Sequence, residues 1–172
     1  MSLVVLILIN LAVALALTTL VWLVSLPLRD ASIIDIFWGL GFVAVAWISL
    51  WLTGATTAHA WLTVGLVTLW GLRLSGYLAW RNLGKGEDRR YRELRDKIGR
   101  RFPWLSLPVV FWLQGALIAV VSLPVQAGIQ SAGKAQLGWQ VAGAALWLVG
   151  WLCEAVGDWQ MARFKSDPSN RG

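Results

Sequence analysis

Polar residues divide this chain into five apolar stretches, at residues 3–27, 33–53, 60–80, 105–128 and 137–159. At 1.5 Å of rise per residue, each is long enough as a helix to cross ~30 Å of hydrocarbon. Pro27 is expected to end the first helix, and Arg29, Asp30 and Asp35 flank a short turn before Trp38-Gly39-Leu40-Gly41 opens the second. Between the third and fourth stretches the pattern changes. Glu87 and Asp88 suit a helix start, and Tyr91, Leu94, Ile98 and Phe102 recur at helical spacing among Arg and Lys, which predicts an amphipathic helix lying at the membrane interface. In the fourth stretch Gln114, Ser122 and Gln126 are spaced for hydrogen bonds between helices, as is Asn10 in the first, and Pro124 is expected to kink or end its helix.

Composition agrees with the pattern. The chain has 172 residues, is 58% hydrophobic and carries 13 Trp against one His, which is unlike a soluble domain. The fold class that follows is all-α: an integral membrane helical bundle of five transmembrane helices, one transmembrane domain over residues 1–172. The first stretch has no basic leader, too long an apolar core and no small-residue cleavage site, so it reads as a retained helix rather than a secretion signal.

Charge sets the expected orientation. The net +6 is not spread over a polar surface, which argues against a nucleic-acid partner; residues 81–104 alone hold nine Lys or Arg and four Asp or Glu. The tail from 162 to 172 adds Arg163, Lys165 and Arg171 against Asp167. Positive-inside bias places both segments in the cytoplasm and the N-terminus outside. Cys153 stands alone, so no intrachain disulfide is possible, and no His or Cys spacing points to a metal site. His59, beside the external end of the third stretch, is expected to face solvent. Gly84-Lys85-Gly86 lacks the spacing of a phosphate-binding P-loop.

Two polar stripes break the apolar pattern. Glu154, Asp158 and Lys165 project within roughly 40° of one another on a helix, and carboxylates at membrane depth face a protein interior, a wet cavity or a ligand. Arg73, Tyr77 and Arg81 form a second line at i, i+4 and i+8. Arg73 can snorkel to the interface or pair with Glu154 or Asp158. Alternatively Arg73, Arg81, Lys85, Arg163 and Lys165 ring a pocket for a phosphorylated ligand, whose ribose hydroxyls or carboxamide the two acids would accept.

The string Arg81-Asn82-Leu83-Gly84-Lys85-Gly86-Glu87-Asp88-Arg89-Arg90-Tyr91, then Phe111-x-x-Gln114, then Glu154-x-x-x-Asp158-x-Gln160-x-x-x-Phe164-Lys165-x-Asp167-Pro168-x-Asn170, resembles a bacterial membrane family, domain of unknown function 1295, related to steroid 5-alpha-reductases. The resemblance implies a membrane reductase that uses NADPH to reduce a carbon–carbon double bond conjugated to a carbonyl in a hydrophobic, lipid-like or steroid-like substrate. It assigns Glu154, Asp158 and Lys165 to the cofactor, Arg73 and Tyr77 to the border of its phosphate region, and Asp35 to the position of an acidic catalytic residue. Trp70 stands where the steroid enzymes carry a tyrosine proposed as proton donor. The family continues past the position of Gly172 into two further hydrophobic helices, about seven in all, so a C-terminally truncated fragment is expected. Isoprenylcysteine carboxyl methyltransferases resemble the same C-terminal region, which implies S-adenosylmethionine as the alternative ligand; a non-catalytic membrane bundle with structural ion pairs is the third reading.

Overall fold

The computed structural model describes residues 1–131, 136–167 and 169, and among them every regular element is helical. The chain separates into two compact units, Met1–Ala132 and Gly133–Gly172. Five stretches of helix are long and apolar enough to cross a membrane: Leu3–Leu28, Ile33–Thr53, Ala58–Asn82, Arg89–Val121 and Leu137–Ser166. The protein is an integral membrane protein built from helices.

In the first unit, α1 (Leu3–Leu28) starts where the Ser2 hydroxyl accepts from the Val5 amide at 3.3 Å. It does not stop at Pro27. The helix runs one residue further, because the ring's fixed φ is helical and its missing N–H leaves one carbonyl unbonded; Arg29, at φ 51°, closes it. A short turn leads to α2 (Ile33–Thr53), and α3 (Ala58–Asn82) begins where Thr57 caps the Ala60 amide at 3.2 Å. Gly84 and Gly86, both at positive φ, turn the chain into α4 (Arg89–Ile98), whose N-cap is Asp88.

The fourth stretch is a series of pieces. A 3-10 turn at Gly99–Arg101 leads to α5 (Phe102–Ser106), a π-helical turn at Leu107–Trp112, α6 (Leu113–Val121) and α7 (Leu123–Gln130). Pro108 supplies no N–H to the Trp104 carbonyl and its ring crowds that carbonyl, which accounts for the widened turn. The break at Ser122 falls where Pro124 enters the first turn of α7, as the sequence led one to expect.

α2 and α3 approach most closely at Gly39 and Gly71. A methyl on either would lie 2.6 Å from the other's carbonyl oxygen, so only hydrogen is tolerated there. Beside this contact Trp38, Phe42 and Trp70 pack edge to face, with ring centroids 4.9 to 6.4 Å apart. Nearer the other end, Asn10 joins three helices: its Nδ2 donates to Ser49 Oγ at 2.8 Å and to Gln126 Oε1 at 3.0 Å, and Gln126 Nε2 donates to Ser122 Oγ at 2.9 Å. Asn10, Ser49, Ser122 and Gln126 are fully buried. Asn10, Ser122 and Gln126 thus make side-chain hydrogen bonds of the kind expected of them, where lipid offers no partner. His59 departs from expectation, since its ring is half-buried beside Gly128 instead of facing solvent.

The amphipathic 89–98 helix also departs from expectation. Its apolar side meets protein, not lipid: Tyr91 and Phe102 are buried with Val21, Trp22, Ala31, Ile33 and Ile34, and Leu94 and Ile98 pack against the same cluster. The periodicity was legible, but the face it would bury against comes from residues more than fifty positions earlier.

The second unit is one long helix, α8 (Leu137–Ser166), seven residues longer than its apolar stretch. Trp147 stacks on Trp151 at 6.1 Å, and the Arg163 guanidinium lies 5.6 Å from the Trp159 ring. Arg163 and Lys165 in the last turn complement the helix's negative end and let it run on beyond the apolar residues.

Candidate active site

A polar constellation lies where the α1–α2 turn meets the 87–95 segment. Asp35 stands in the first turn of α2. It accepts the Tyr91 hydroxyl on Oδ1 at 2.7 Å and the Arg90 guanidinium on Oδ2 at 3.0 Å. Arg90 also reaches Asp88 Oδ1 at 3.0 Å, so one guanidinium bridges two acids. Tyr91 is buried while the Arg90 side chain is 69% exposed, so the phenol is the enclosed partner and the guanidinium the open one.

A second ion pair fastens the same two segments. Glu87 takes both nitrogens of the Arg95 fork, at 2.7 and 2.8 Å, and accepts the Ala31 amide at 2.8 Å. Arg95 also donates to the Arg29 carbonyl at 3.2 Å, and its guanidinium lies 4.3 Å from the Phe102 ring. Asp30 receives the amide and hydroxyl of Ser32, and the Ser32 oxygen accepts the Asp88 amide at 3.3 Å. Burial raises the Glu87 carboxyl, but the Arg95 and Ala31 hydrogen bonds and the charges of Arg95 and Arg92 outweigh it, so the net shift is downward. Asp88 is lowered in the same way: burial raises it, and the bonds to Arg90 with the Arg90 and Arg81 charges prevail.

An apolar cleft of ≈ 400 Å³ opens between α1 and α2 on the same unit. Val21, Val24, Ile34 and Phe37 form one end, and Ala14, Ala44 and Ile118 the other. Val21 and Ile34 are shared with the buried cluster that holds Tyr91. The cleft's end wall is therefore part of the packing that presents the Tyr91 hydroxyl to Asp35.

The other residues singled out from the sequence divide between the two units. Arg73, Tyr77 and Arg81 lie along α3, where the Arg81 guanidinium sits 5.6 Å from the Tyr77 ring and Trp80 packs on the same ring at 6.0 Å. Glu154, Asp158 and Lys165 lie on the unbroken α8, so their shared line is kept. Trp70 belongs to the aromatic cluster with Trp38 and Phe42. Pro168 and Asn170 of the C-terminal motif, and Arg171 of the basic tail, lie outside the described residues. Among the described residues, no group of three or more His, Cys, Asp or Glu could hold a metal ion.

Sequence reasoning marked Asp35 but not its partners. Arg90 and Tyr91 lie 55 and 56 residues away, in a run that reads as an amphipathic helix at the membrane interface. The usable signal was Tyr91 itself, an aromatic residue that begins the apolar side of that run.

Residues 21–172 match the family described as "Protein of unknown function (DUF1295)". The chain belongs to the DUF1295 family. The match takes in the last turns of α1 and everything after it, so the Asp35 constellation, the α3 line and the α8 line of this DUF1295 chain all fall within it. No curated protein and no solved structure matches the chain.

Proposed function

We propose that the protein is a membrane-embedded reductase that takes a hydrophobic substrate from the bilayer and reduces a carbon–carbon double bond conjugated to a carbonyl, with NADPH as hydride donor. One observation carries the reading: the apolar α1–α2 cleft shares Val21 and Ile34 with the cluster that holds Tyr91 against Asp35. A hydrophobic molecule in the cleft would lie against the same packing that holds a buried phenol beside an acid and an exposed guanidinium. Those are the groups needed to hold a carbonyl and exchange a proton as charge builds on its oxygen.

The residues available for a dinucleotide fit its chemistry. Arg81 over the Tyr77 ring, with Arg73 a further turn along α3, offers a cationic fork and a phenol suited to phosphate. Glu154 and Asp158 on α8 are acceptors for ribose hydroxyls or the carboxamide, and Lys165 is a further cation. The nicotinamide supplies the hydride. The basic 81–101 segment faces the cytoplasm in this reading, which gives a water-soluble cofactor its route of entry.

The test is ligand binding by the purified chain in detergent, titrated in parallel with NADPH and S-adenosylmethionine, followed by NADPH oxidation with enone lipids. NADPH binding that weakens in Asp158→Ala and Arg81→Ala supports the reading. Binding of S-adenosylmethionine in place of NADPH supports a methyltransferase, and binding of neither sinks the reductase.

A further inference from the structure

We infer that Arg100, Arg101 and Trp104 bind the headgroup of an anionic phospholipid, whose acyl chains lie along the outward apolar stripe of the fourth membrane-crossing stretch. The site is separate from the proposed reaction and does not rest on it.

Unpaired charge argues first. The cations at 89, 90 and 95 are committed within the fold: Arg89 pairs with Glu93, Arg90 with Asp35 and Asp88, and Arg95 with Glu87. Lys97, Arg100 and Arg101 follow, all exposed, and none of their side chains has a hydrogen-bond, ion-pair or ring partner among the described residues. Asp96 is the one carboxylate between Leu94 and Ser106, so three uncommitted cations face a single acid.

Position argues second. Trp104 is 73% exposed, and Leu105, Val109, Trp112 and Leu113 carry the same exposed apolar surface onward along the stretch. In a membrane protein such a stripe meets acyl chains, and a Trp at its end sits at the level of the headgroups. Arg100 and Arg101 precede Trp104 and Leu105 by four residues each, one helical turn or about 6 Å. Their long side chains therefore start at the end of the stripe and reach the depth of the lipid phosphates. Guanidinium forks bind phosphate oxygens two at a time. A soluble phosphate would use the arginines alone, whereas a phospholipid uses the arginines, the indole and the stripe together.

Rigidity argues third. Gly99, at φ 67°, ends α4 and turns the chain, so that Arg100 and Arg101 belong to the turn that leads into α5. Phe102, directly after them, is 2% exposed and packs in the cluster that holds Tyr91. Trp22 Nε1 donates to the Pro103 carbonyl at 2.9 Å, and the Trp22 and Trp104 rings lie 6.1 Å apart. The backbone under the two arginines is thus fixed from both sides, and binding has only their side chains to order.

The experiment places the full chain in nanodiscs of phosphatidylcholine with phosphatidylglycerol as the minor lipid, transfers it to detergent, and counts the retained lipids by native mass spectrometry. Phosphatidylglycerol is expected to be retained in preference. A cation near an anionic membrane surface contributes about a fivefold preference, so Arg100→Gln should lower the ratio of the two lipids about fivefold and the double variant Arg100→Gln/Arg101→Gln about thirtyfold. Neither side chain holds a contact in the fold, so these variants retain it. Arg89→Gln removes the same charge from a position 85% exposed and should leave the ratio nearly unchanged. Trp104→Ala, which alters no charge, should lower it. A wild-type ratio equal to that of the bulk bilayer would overturn the proposal, as would a ratio insensitive to Trp104→Ala. Equal losses in Arg89→Gln and Arg100→Gln would do the same, since retention would then follow net charge alone. Displacement of phosphatidylglycerol by NADPH or by inorganic pyrophosphate would assign the arginines to a soluble phosphate and overturn it equally.

Discussion

Tyr91 Oη lies 2.7 Å from Asp35 Oδ1, a hydrogen bond between the first turn of α2 and a helix 56 residues further along the chain. Its neighbour in the same constellation, Arg90, contacts the other Asp35 oxygen at 3.0 Å but keeps 69% of its side chain in the open. The two contacts differ in worth. A buried hydrogen bond to a charged group contributes about 1.5 to 3 kcal/mol, an exposed ion pair about 0.2 to 1. Tyr91→Phe should therefore destabilise the protein by about 2 kcal/mol and Arg90→Ala by less than about 1. Reversible unfolding in mixed detergent micelles, followed by tryptophan fluorescence, measures both. Equal losses would show that the phenol is not the anchor.

The Glu87 and Asp88 carboxyls make the docking of the 87–98 segment sensitive to acid. Both are held below their ordinary values in the folded protein, so each contributes stability that is fully present above the unfolded value of about 4 and is lost as pH falls through the lower folded value. Hydrogen exchange of residues 89–98, corrected for intrinsic rates, should be slow and level from neutral pH down to about 5 and then rise on further acidification. Glu87→Gln should flatten much of that rise and raise exchange at neutral pH, because Gln keeps an acceptor for Ala31 but loses the charge that holds Arg95. A profile unchanged by the substitution would assign the acid sensitivity to other groups.

The helices were legible because their signals are local. Apolar length located five spans, Pro124 marked the break at Ser122, and Asp88 marked the start of α4. What was not legible is pairwise and distant. Asp35 could be flagged by its position, but Tyr91 and Arg90 reach it only after the chain has crossed the membrane twice more. The same reason hid Ser49: one serine in an apolar helix has no pattern, and its place beside Asn10 depends on how α1 and α2 are rotated. The partner of α4's apolar face was not legible because an amphipathic period states that one face is buried and leaves open whether lipid or protein buries it.

Close packing of α2 on α3 gives a sharper contrast among glycines. Gly39→Ala and Gly71→Ala each drive a methyl to 2.6 Å from a backbone oxygen, which cannot rotate away. Overpacking of this kind costs about 1 to 3 kcal/mol. Gly76 lies on α3, and a methyl added there would meet nothing within 4 Å, so Gly76→Ala should be neutral or stabilising by up to about 1 kcal/mol from helix propensity. Unfolding in the same micelles separates the two classes, and similar effects at Gly71 and Gly76 would mean the helices are not in backbone contact.

Asn10 and Gln126 should behave as a coupled pair. Asn10→Leu removes the donor to Gln126 Oε1 and leaves that oxygen buried, while Ser49 keeps its own bond to the Val45 carbonyl at 2.7 Å. Gln126→Leu leaves Asn10 Nδ2 with Ser49 alone, and Ser122 retains the Ala119 carbonyl at 3.0 Å. Hydrogen bonds between membrane helices average about 0.6 kcal/mol, so each single substitution should cost about 1 kcal/mol once the orphaned partner is included. The double substitution leaves neither side chain unpaired, and its cost should fall short of the sum of the two singles. Additive losses would mean that the two amides do not act on each other, and would place the stabilising contacts with Ser49 and Ser122.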